Sequence, residues 1–292
     1  MTQKQANMIL ATVSIGWGTS YIFMKLCIDT LSPLTIVALR FGIAFIVMLA
    51  IFSKKIIRVD AKTLKCSAML GAILFGIFIA LLIGMKNTTA SSAGFLTSTT
   101  VILVPIMQIF ITRKWPSSKI ILGVMIVMAG LAILTIGDGF SFALSSLNCL
   151  ISAFLYALHI ILTNYFSRKV DALQLGIFQL GFACLYAAVG TFVFETPVLP
   201  HEVVQWISIL GLALICSAYG FVMQPVAQKH TTPESTGFLF SLEPIFSAIF
   251  SFIFLHENMG VKGYLGALLI LTGVLIANSS SKKQFLHKEM NV

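Results

Sequence analysis

One stretch of this chain occurs twice. Thr88 to Leu134 reads TTASSAGFLTSTTVILVPIMQ…LGVMIVMAGLAIL, and Thr231 to Ala277 reads TTPESTGFLFSLEPIFSAI…LGALLILTGVLIA. The pairs Thr88/Thr231, Gly94/Gly237, Gly123/Gly266 and Gly130/Gly273 are each 143 positions apart. TTASSAGFL and TTPESTGFL agree at six of nine places. A match that keeps register across two apolar segments marks a duplicated unit, and a repeat constrains the fold before any other signal does. The prolines break the register. Pro105 and Pro244 are 139 apart, so one is displaced by about one helical turn.

Composition says what the repeated unit sits in. Hydrophobic residues make up 58% of the chain and charged residues 10%, with a mean hydropathy of +0.98. A soluble domain carries about 25% charged residues, so this chain cannot cover a water-facing surface, and the lipid bilayer is its solvent. Five cysteines (Cys27, Cys66, Cys149, Cys184, Cys216) lie in or beside apolar segments without a CxxC pair. They read as small packing residues, and no disulfide frame or metal site is expected. The first apolar segment has no basic run before it and no small-residue cleavage site after it, so it is expected to be a retained helix.

Segments long enough to span a hydrocarbon core fall at 6–26, 33–52, 66–86, 91–112, 119–136, 146–166, 172–194, 204–227, 235–255 and 262–279. The expected fold is therefore an all-α integral membrane protein of ten transmembrane helices. Of the 19 lysines and arginines, fifteen lie at one set of segment ends, among them Lys4, Lys54, Arg58, Arg113, Lys114, Lys119, Arg168, Lys229 and Lys282. Lys25, Lys86 and Lys262 lie at the opposite ends, and Arg40 lies inside a segment. The excess puts both termini in the cytoplasm. It also accounts for the net charge of +9 without a nucleic-acid partner. Two units of five helices, residues 6–136 and 146–279, must then enter the membrane from opposite sides. Inverted pairs of this kind build secondary transporters with a substrate site near midplane. Residues 280–292 read as a basic, disordered cytoplasmic tail.

Several short motifs resemble one family. They are Trp17-Gly18-Thr19-Ser20, Leu39-Arg40-Phe41, Glu243-Pro244, Leu255-His256-Glu257, Leu265-Gly266 and Thr272-Gly273. No single motif is specific, but the ordered set with the repeat resembles the EamA family of the drug/metabolite transporter superfamily, as two EamA units over essentially the whole chain. The resemblance implies a multi-pass plasma-membrane transporter, often an exporter of amino acids or related metabolites, with a central cavity lined by both halves. The glutamate that the family pattern places after the fourth helix is absent, and Arg113-Lys114-Trp115 stands there instead.

Ionisable and polar groups inside a bilayer are costly and tend to face a bundle interior or a substrate path. Glu243 lies about 12 Å into the ninth segment at 1.5 Å per residue, followed by Pro244, whose missing N–H releases the Phe240 carbonyl. It is a candidate cation or proton site, with protons as a candidate coupling ion. Its competing role is a buried hydrogen bond that fixes the kink. Arg40 is a counter-charge for a substrate carboxylate, a clamp on backbone carbonyls, or a side chain that snorkels outward. A pairing of Arg40 with Glu243 stays open. An offset of 139 sets Trp17 against Tyr156, Ser20 against His159 and Arg40 against Gln179, so Trp17 and Tyr156 are expected to face each other as aromatic walls. His159 is either a titrating gate or a satisfied packing residue. Gln224 precedes Pro225, another expected kink beside Pro105 and Pro244. Ser98 and Thr99 are expected to back-bond to their own helix. Gly94, Gly237, Gly123, Gly130, Gly266 and Gly273 are expected to be close helix contacts. The expected cavity set is Trp17, Ser20, Arg40, Tyr156, His159, Gln224 and Glu243.

The chain has no GxxxxGK[ST] loop and no HExxH spacing, so neither an ATP motor nor a metal or other cofactor is expected. An intramembrane hydrolase would set Ser20 against His159, but no GxSG-like turn accompanies Ser20. The sequence thus reads as a secondary transporter of a small-molecule substrate. A passive pore or scaffold subunit is the competing class, and the hydrolase comes last.

Overall fold

The computed structural model describes residues 1–113, 118–135, 144–240, 242–256 and 260–289. Lys114, Trp115 and Glu257 lie outside the described residues, as do 136–143 between the repeats and 290–292 of the tail. The described chain is helical and contains no strand. In order it forms α1 (Gln3–Ile28), α2 (Pro33–Ile51), a short α3 (Ser53–Ile56), α4 (Ala61–Met85), α5 (Ala90–Thr97), α6 (Thr100–Thr112), α7 (Ser118–Thr135), α8 (Leu144–Ser167) and α9 (Ala172–Phe194). Then come α10 (Val203–Gly211), a π-helical segment (Leu212–Phe221), α11 (Val222–Gln228), α12 (Pro233–Phe240), α13 (Glu243–Leu255) and α14 (Gly260–Glu289).

Helix starts are written in the sequence. Thr2 and Gln5 form a capping box, Ser32 caps α2 ahead of Pro33, and Asp60, Thr89 and Asp171 accept the N–H three residues on. Each satisfies a backbone donor that the first turn leaves open. Among the described residues, seven stretches are long and apolar enough to cross a membrane: Gln3–Ile28, Pro33–Ile51, Ala61–Met85, Ala90–Ile111, Ser146–Ser167, Ala172–Phe194 and Val203–Gln228. Ile121–Gly130, Glu243–Leu255 and Gly260–Gly273 are shorter apolar helices. The outer surface carries Ile46, Phe192, Val193, Phe252 and Leu268 in the open, a surface that water would not tolerate but lipid does.

The duplication seen in sequence is also a duplication of backbone events. Thr89 and Thr232 each accept the N–H three residues on. The stretch α5–α6 is interrupted at Ser98–Thr99, and α12–α13 is interrupted 143 positions later, between Phe240 and Glu243. Arg113 and His256, also 143 apart, both end their helices in the left-handed region, at φ 54° and 52°. The breaks thus follow the register of the repeat, not the prolines. Pro244 lies in the first turn of α13, where a missing N–H costs nothing. Among the described residues, Pro105 and Pro225 are the prolines inside helices.

The two units interlock through their first helices. α1 packs on α10, the π-helical segment, α11, α12 and α13, all from the second unit; α8 packs on α4, α5 and α6 from the first. α2 and α9 pack on each other. α7 and α14 meet reciprocally: a Cβ on Gly130 would lie 2.7 Å from the Gly266 carbonyl oxygen, and one on Gly273 would lie 2.6 Å from that of Gly123. Early residues of one helix therefore meet late residues of the other, so the pair runs antiparallel, backbone against backbone. Gly94 is also tight, with Ser247 Oγ 2.9 Å from a Cβ there, but its counterpart Gly237 has only Val101 Cα at 3.8 Å. Gly237 is thus not the close contact that the repeat suggests, because it faces a backbone far enough away to admit a methyl group.

The tail also departs from expectation. α14 runs on through Asn278 to Glu289, where the sequence suggested a disordered segment. Lys, Gln, Leu and Glu in that stretch are strong helix formers, and they extend a helix already nucleated in the apolar region.

Gly273→Ala should push α7 and α14 apart, an overpacking cost of about 1–3 kcal/mol. Thermal unfolding in detergent should fall by several degrees for Gly273→Ala and stay near wild type for Gly237→Ala.

Candidate functional site

A cavity lies where α1, α4, α5, α8, the π-helical segment and α13 converge. Its walls are Trp17, Ser20, Tyr21, Met24, Ile77, Phe78, Leu81, Thr97, Tyr156, Phe221 and Glu243. Its volume is about 20 Å³, room for one water or two. A second void of about 10 Å³ shares Thr97, Tyr156 and Glu243 and reaches Ser98 and Pro244. Both helix interruptions therefore border the same polar spot.

Four of the residues singled out in the sequence meet here: Trp17, Ser20, Tyr156 and Glu243. Trp17 meets Tyr156 edge-on at 5.8 Å and lies 4.7 Å from Phe221 and 4.8 Å from Phe240. Its indole Nε1 donates to the Cys216 carbonyl at 2.7 Å. That carbonyl belongs to the π-helical segment, where the wider turn changes which N–H each carbonyl meets. Gly220 makes the approach feasible, since a Cβ there would sit 2.3 Å from Trp17 Nε1. Glu243 is buried and accepts from Tyr21 Oη at 2.9 Å. Ser20 Oγ and Tyr156 Oη, both buried, have no hydrogen-bond partner among the described residues. Tyr21 was missed in the sequence, although it lies one helical turn beyond Trp17 and so on the same face. Phe221 and Thr97 carried no signal beyond their apolar or helix-bonded surroundings.

Arg40, His159 and Gln224 are buried but do not line the cavity. Arg40 Nε donates to Ser217 Oγ at 3.0 Å, Nη1 reaches Met24 Sδ at 3.7 Å, and the guanidinium lies 4.0 Å from the Phe78 ring centre. Met24 and Phe78 are cavity walls, so Arg40 stands behind them. The open pairing of Arg40 with Glu243 is not formed, since each has another partner. His159 Nε2 bonds Gln179 Oε1 at 2.9 Å, and Gln179 Nε2 donates to the Phe221 carbonyl at 2.8 Å. Phe221 is four residues before Pro225, so its carbonyl is the one that Pro225 cannot serve. His159 and Gln179 thus form a relay that holds the π-to-α junction. Gln224 has both amide atoms without a partner among the described residues, as has Gln228 one turn on. Ser98 and Thr99 bond back to Phe95 and Leu96, and Thr97 bonds back to Ala93.

Comparison with known proteins fits this arrangement. The model of the EamA-like transporter family matches residues 5–136 and again 143–279. The chain belongs to the EamA-like transporter family. An uncharacterized transporter of Archaeoglobus fulgidus is 27% identical over 94% of this chain and 85% of that protein. The uncharacterized transporter YetK of Bacillus subtilis is 25% identical over 96% of this chain and 89% of that protein. One solved crystal structure matches with a TM-score of 0.74 at 17% identity, covering 96% of this chain and 99% of that one. At that identity the likeness speaks for the fold alone. As an EamA-like transporter, the chain is a membrane protein with several spanning helices.

Gln179→Leu should leave the Phe221 carbonyl and His159 Nε2 unpaired, at about 1–3 kcal/mol per buried group. Its thermal midpoint in detergent should drop by several degrees. Gln174→Leu, which removes bonds to the Lys55 and Arg58 carbonyls at an exposed edge, should shift it little.

Proposed function

We propose that this EamA-like protein is a secondary transporter that exports small metabolites across the plasma membrane by alternating access. The observation that carries the reading is the placement of the central cavity. It lies between interlocked units, beside both helix interruptions, and is too small in this conformation to hold a metabolite. A carrier needs such a closed state, whereas a pore needs a continuous opening. The ten segments form two five-helix units of opposite orientation, 6–136 and 146–279, with both termini cytoplasmic. The antiparallel, reciprocal meeting of α7 with α14 and the lysine and arginine asymmetry support that topology. Rocking of the units would bend the chain at the interruptions and at Pro105 and Pro225.

Glu243 is the proposed proton-coupling group. It is the cavity's carboxylate, and the titratable side chains facing it are Tyr21 and Tyr156. Arg40 and His159 stand behind the wall.

Purified protein in liposomes should catalyse saturable counterflow of a substrate that unlabelled substrate competes. Flux linear in concentration, without competition, would mean a pore. Glu243→Gln should fold with a thermal midpoint within a few degrees of wild type and lose the response of transport to an imposed pH gradient. An unchanged response would remove Glu243 from the coupling role.

A further inference from the structure

We propose that the central cavity recognises an organic ammonium cation of small size, held by the Glu243 carboxylate inside an aromatic cage of Trp17, Tyr21, Tyr156 and Phe221. The inference rests on the transporter reading of the same cavity and names the substrate class for it.

Charge decides first. A buried carboxylate must be neutralised or paired. Glu243 has one donor, the Tyr21 hydroxyl, on one oxygen, and among the described residues no basic side chain pairs with it. Arg40 does not pair with it: Nε bonds Ser217, Nη1 reaches Met24, the guanidinium lies against the Phe78 ring, and Nη2 has no partner among the described residues. Once Glu243 has released its proton, a positively charged guest supplies the missing counter-charge, and an anionic guest meets like charge.

The surrounding walls suit the same guest. Aromatic faces attract cations, and a cage of several rings is the usual way to hold an alkylammonium group. Trp17, Tyr21, Tyr156 and Phe221 all border the cavity, and Trp17 touches Tyr156 and Phe221 directly. Phe78 is left out of the cage because Arg40 already occupies a face of its ring.

Polar capacity sets the limit. Thr97 Oγ1 is committed to the Ala93 carbonyl and Tyr21 Oη to Glu243. Ser20 Oγ and Tyr156 Oη are buried, unpartnered and border the cavity. With the carboxylate, these two hydroxyls are acceptors enough for one ammonium head. A sugar or nucleoside asks for many more partners than the walls hold. A neutral apolar guest leaves the carboxylate alone.

Room comes from the helix interruptions. Thr97 is the last residue of α5 and Glu243 the first of α13, so each sits at the end of a half-helix beside a break. Swinging these half-helices apart widens the cavity without unfolding either one.

The test compares probes that share a shape and differ in charge. Thermal unfolding of the detergent-purified protein is followed with phenethylamine, tetramethylammonium, 2-phenylethanol, phenylacetate and glucose, since ligands of the native state raise its midpoint. Counterflow in liposomes with labelled phenethylamine runs alongside. We expect both cations to stabilise, phenethylamine at concentrations at least tenfold lower than the matching alcohol, and labelled phenethylamine to exchange. Glu243→Gln should erase the difference between amine and alcohol. Stabilisation by the alcohol or the carboxylate at equal or lower concentration than the amine overturns the cation assignment, as does equal amine binding by Glu243→Gln. Saturable counterflow of a neutral or anionic probe in place of the amine also overturns it and leaves the transporter reading standing. Linear, uncompeted flux of the probes overturns the transporter reading as well. The amine–alcohol comparison in the unmutated protein decides the question even where Glu243→Gln does not fold.

Discussion

Inside hydrocarbon, every backbone N–H and C=O must find a partner within the protein. The architecture of this chain depends on how it meets that demand where its helices are irregular. Around Ser98–Thr99 three consecutive hydroxyls turn back onto carbonyls of the preceding turn. At Pro225 a glutamine from another helix serves the carbonyl that proline cannot. In the π-helical segment a tryptophan indole takes the Cys216 carbonyl. Each irregularity borders the cavity: Trp17 and Thr97 line it, and Gln179 holds the carbonyl of Phe221, which also lines it. Irregular backbone and cavity belong together because only a site walled by protein can tolerate both.

Duplication explains why the irregularities come in pairs. Caps, breaks and left-handed helix ends recur 143 residues apart, so one solution to the backbone problem was used twice. The first helix of each unit lies in the other unit. The halves are thus woven together near the centre, while α7 and α14 bind them again at glycines. Small residues at such a contact let dispersion and weak polar contacts act at backbone distance, where lipid offers no hydrophobic drive to association.

Much of the fold was legible in the sequence because lipid simplifies the code. Long apolar runs marked the helices, and capping residues marked their starts. The cavity was half legible. Trp17 and Tyr156 meet as the 139 offset suggested, and Glu243 lies beside them. Arg40 was drawn into the expected set by its charge alone, but its length carries the guanidinium behind Met24 and Phe78. His159 and Gln224 were also placed in that set, and both lie off the cavity wall. His159 is taken up by Gln179, a partner twenty positions away in sequence. Tyr21 is legible by helical spacing, but a tyrosine inside a membrane helix carries no charge to flag it. The interruptions were sought at the prolines, whereas Ser98–Thr99 and the linker before Glu243 set them. The π-helical segment left no mark in periodicity at all.

That segment has a consequence for the symmetry of the molecule. α4 starts after its cap Asp60 and ends at Lys86; the matching stretch of the second copy starts after Glu202, whose N–H bonds the Gln205 side chain, and ends at Lys229. The offset between copies is 142 at the start of this pair and 143 at its end, so the second copy holds one residue more. An extra residue inside a helix, absorbed rather than looped out, is what a π-turn stores. The second copy is one residue longer across this helix, and the segment that receives the Trp17 indole is the π-helical stretch that can absorb it. On the alternating-access reading, the two units trade roles between inward- and outward-facing states. On that reading, units that differ in length beside the cavity are not interchangeable, and the two facings are unequal in energy.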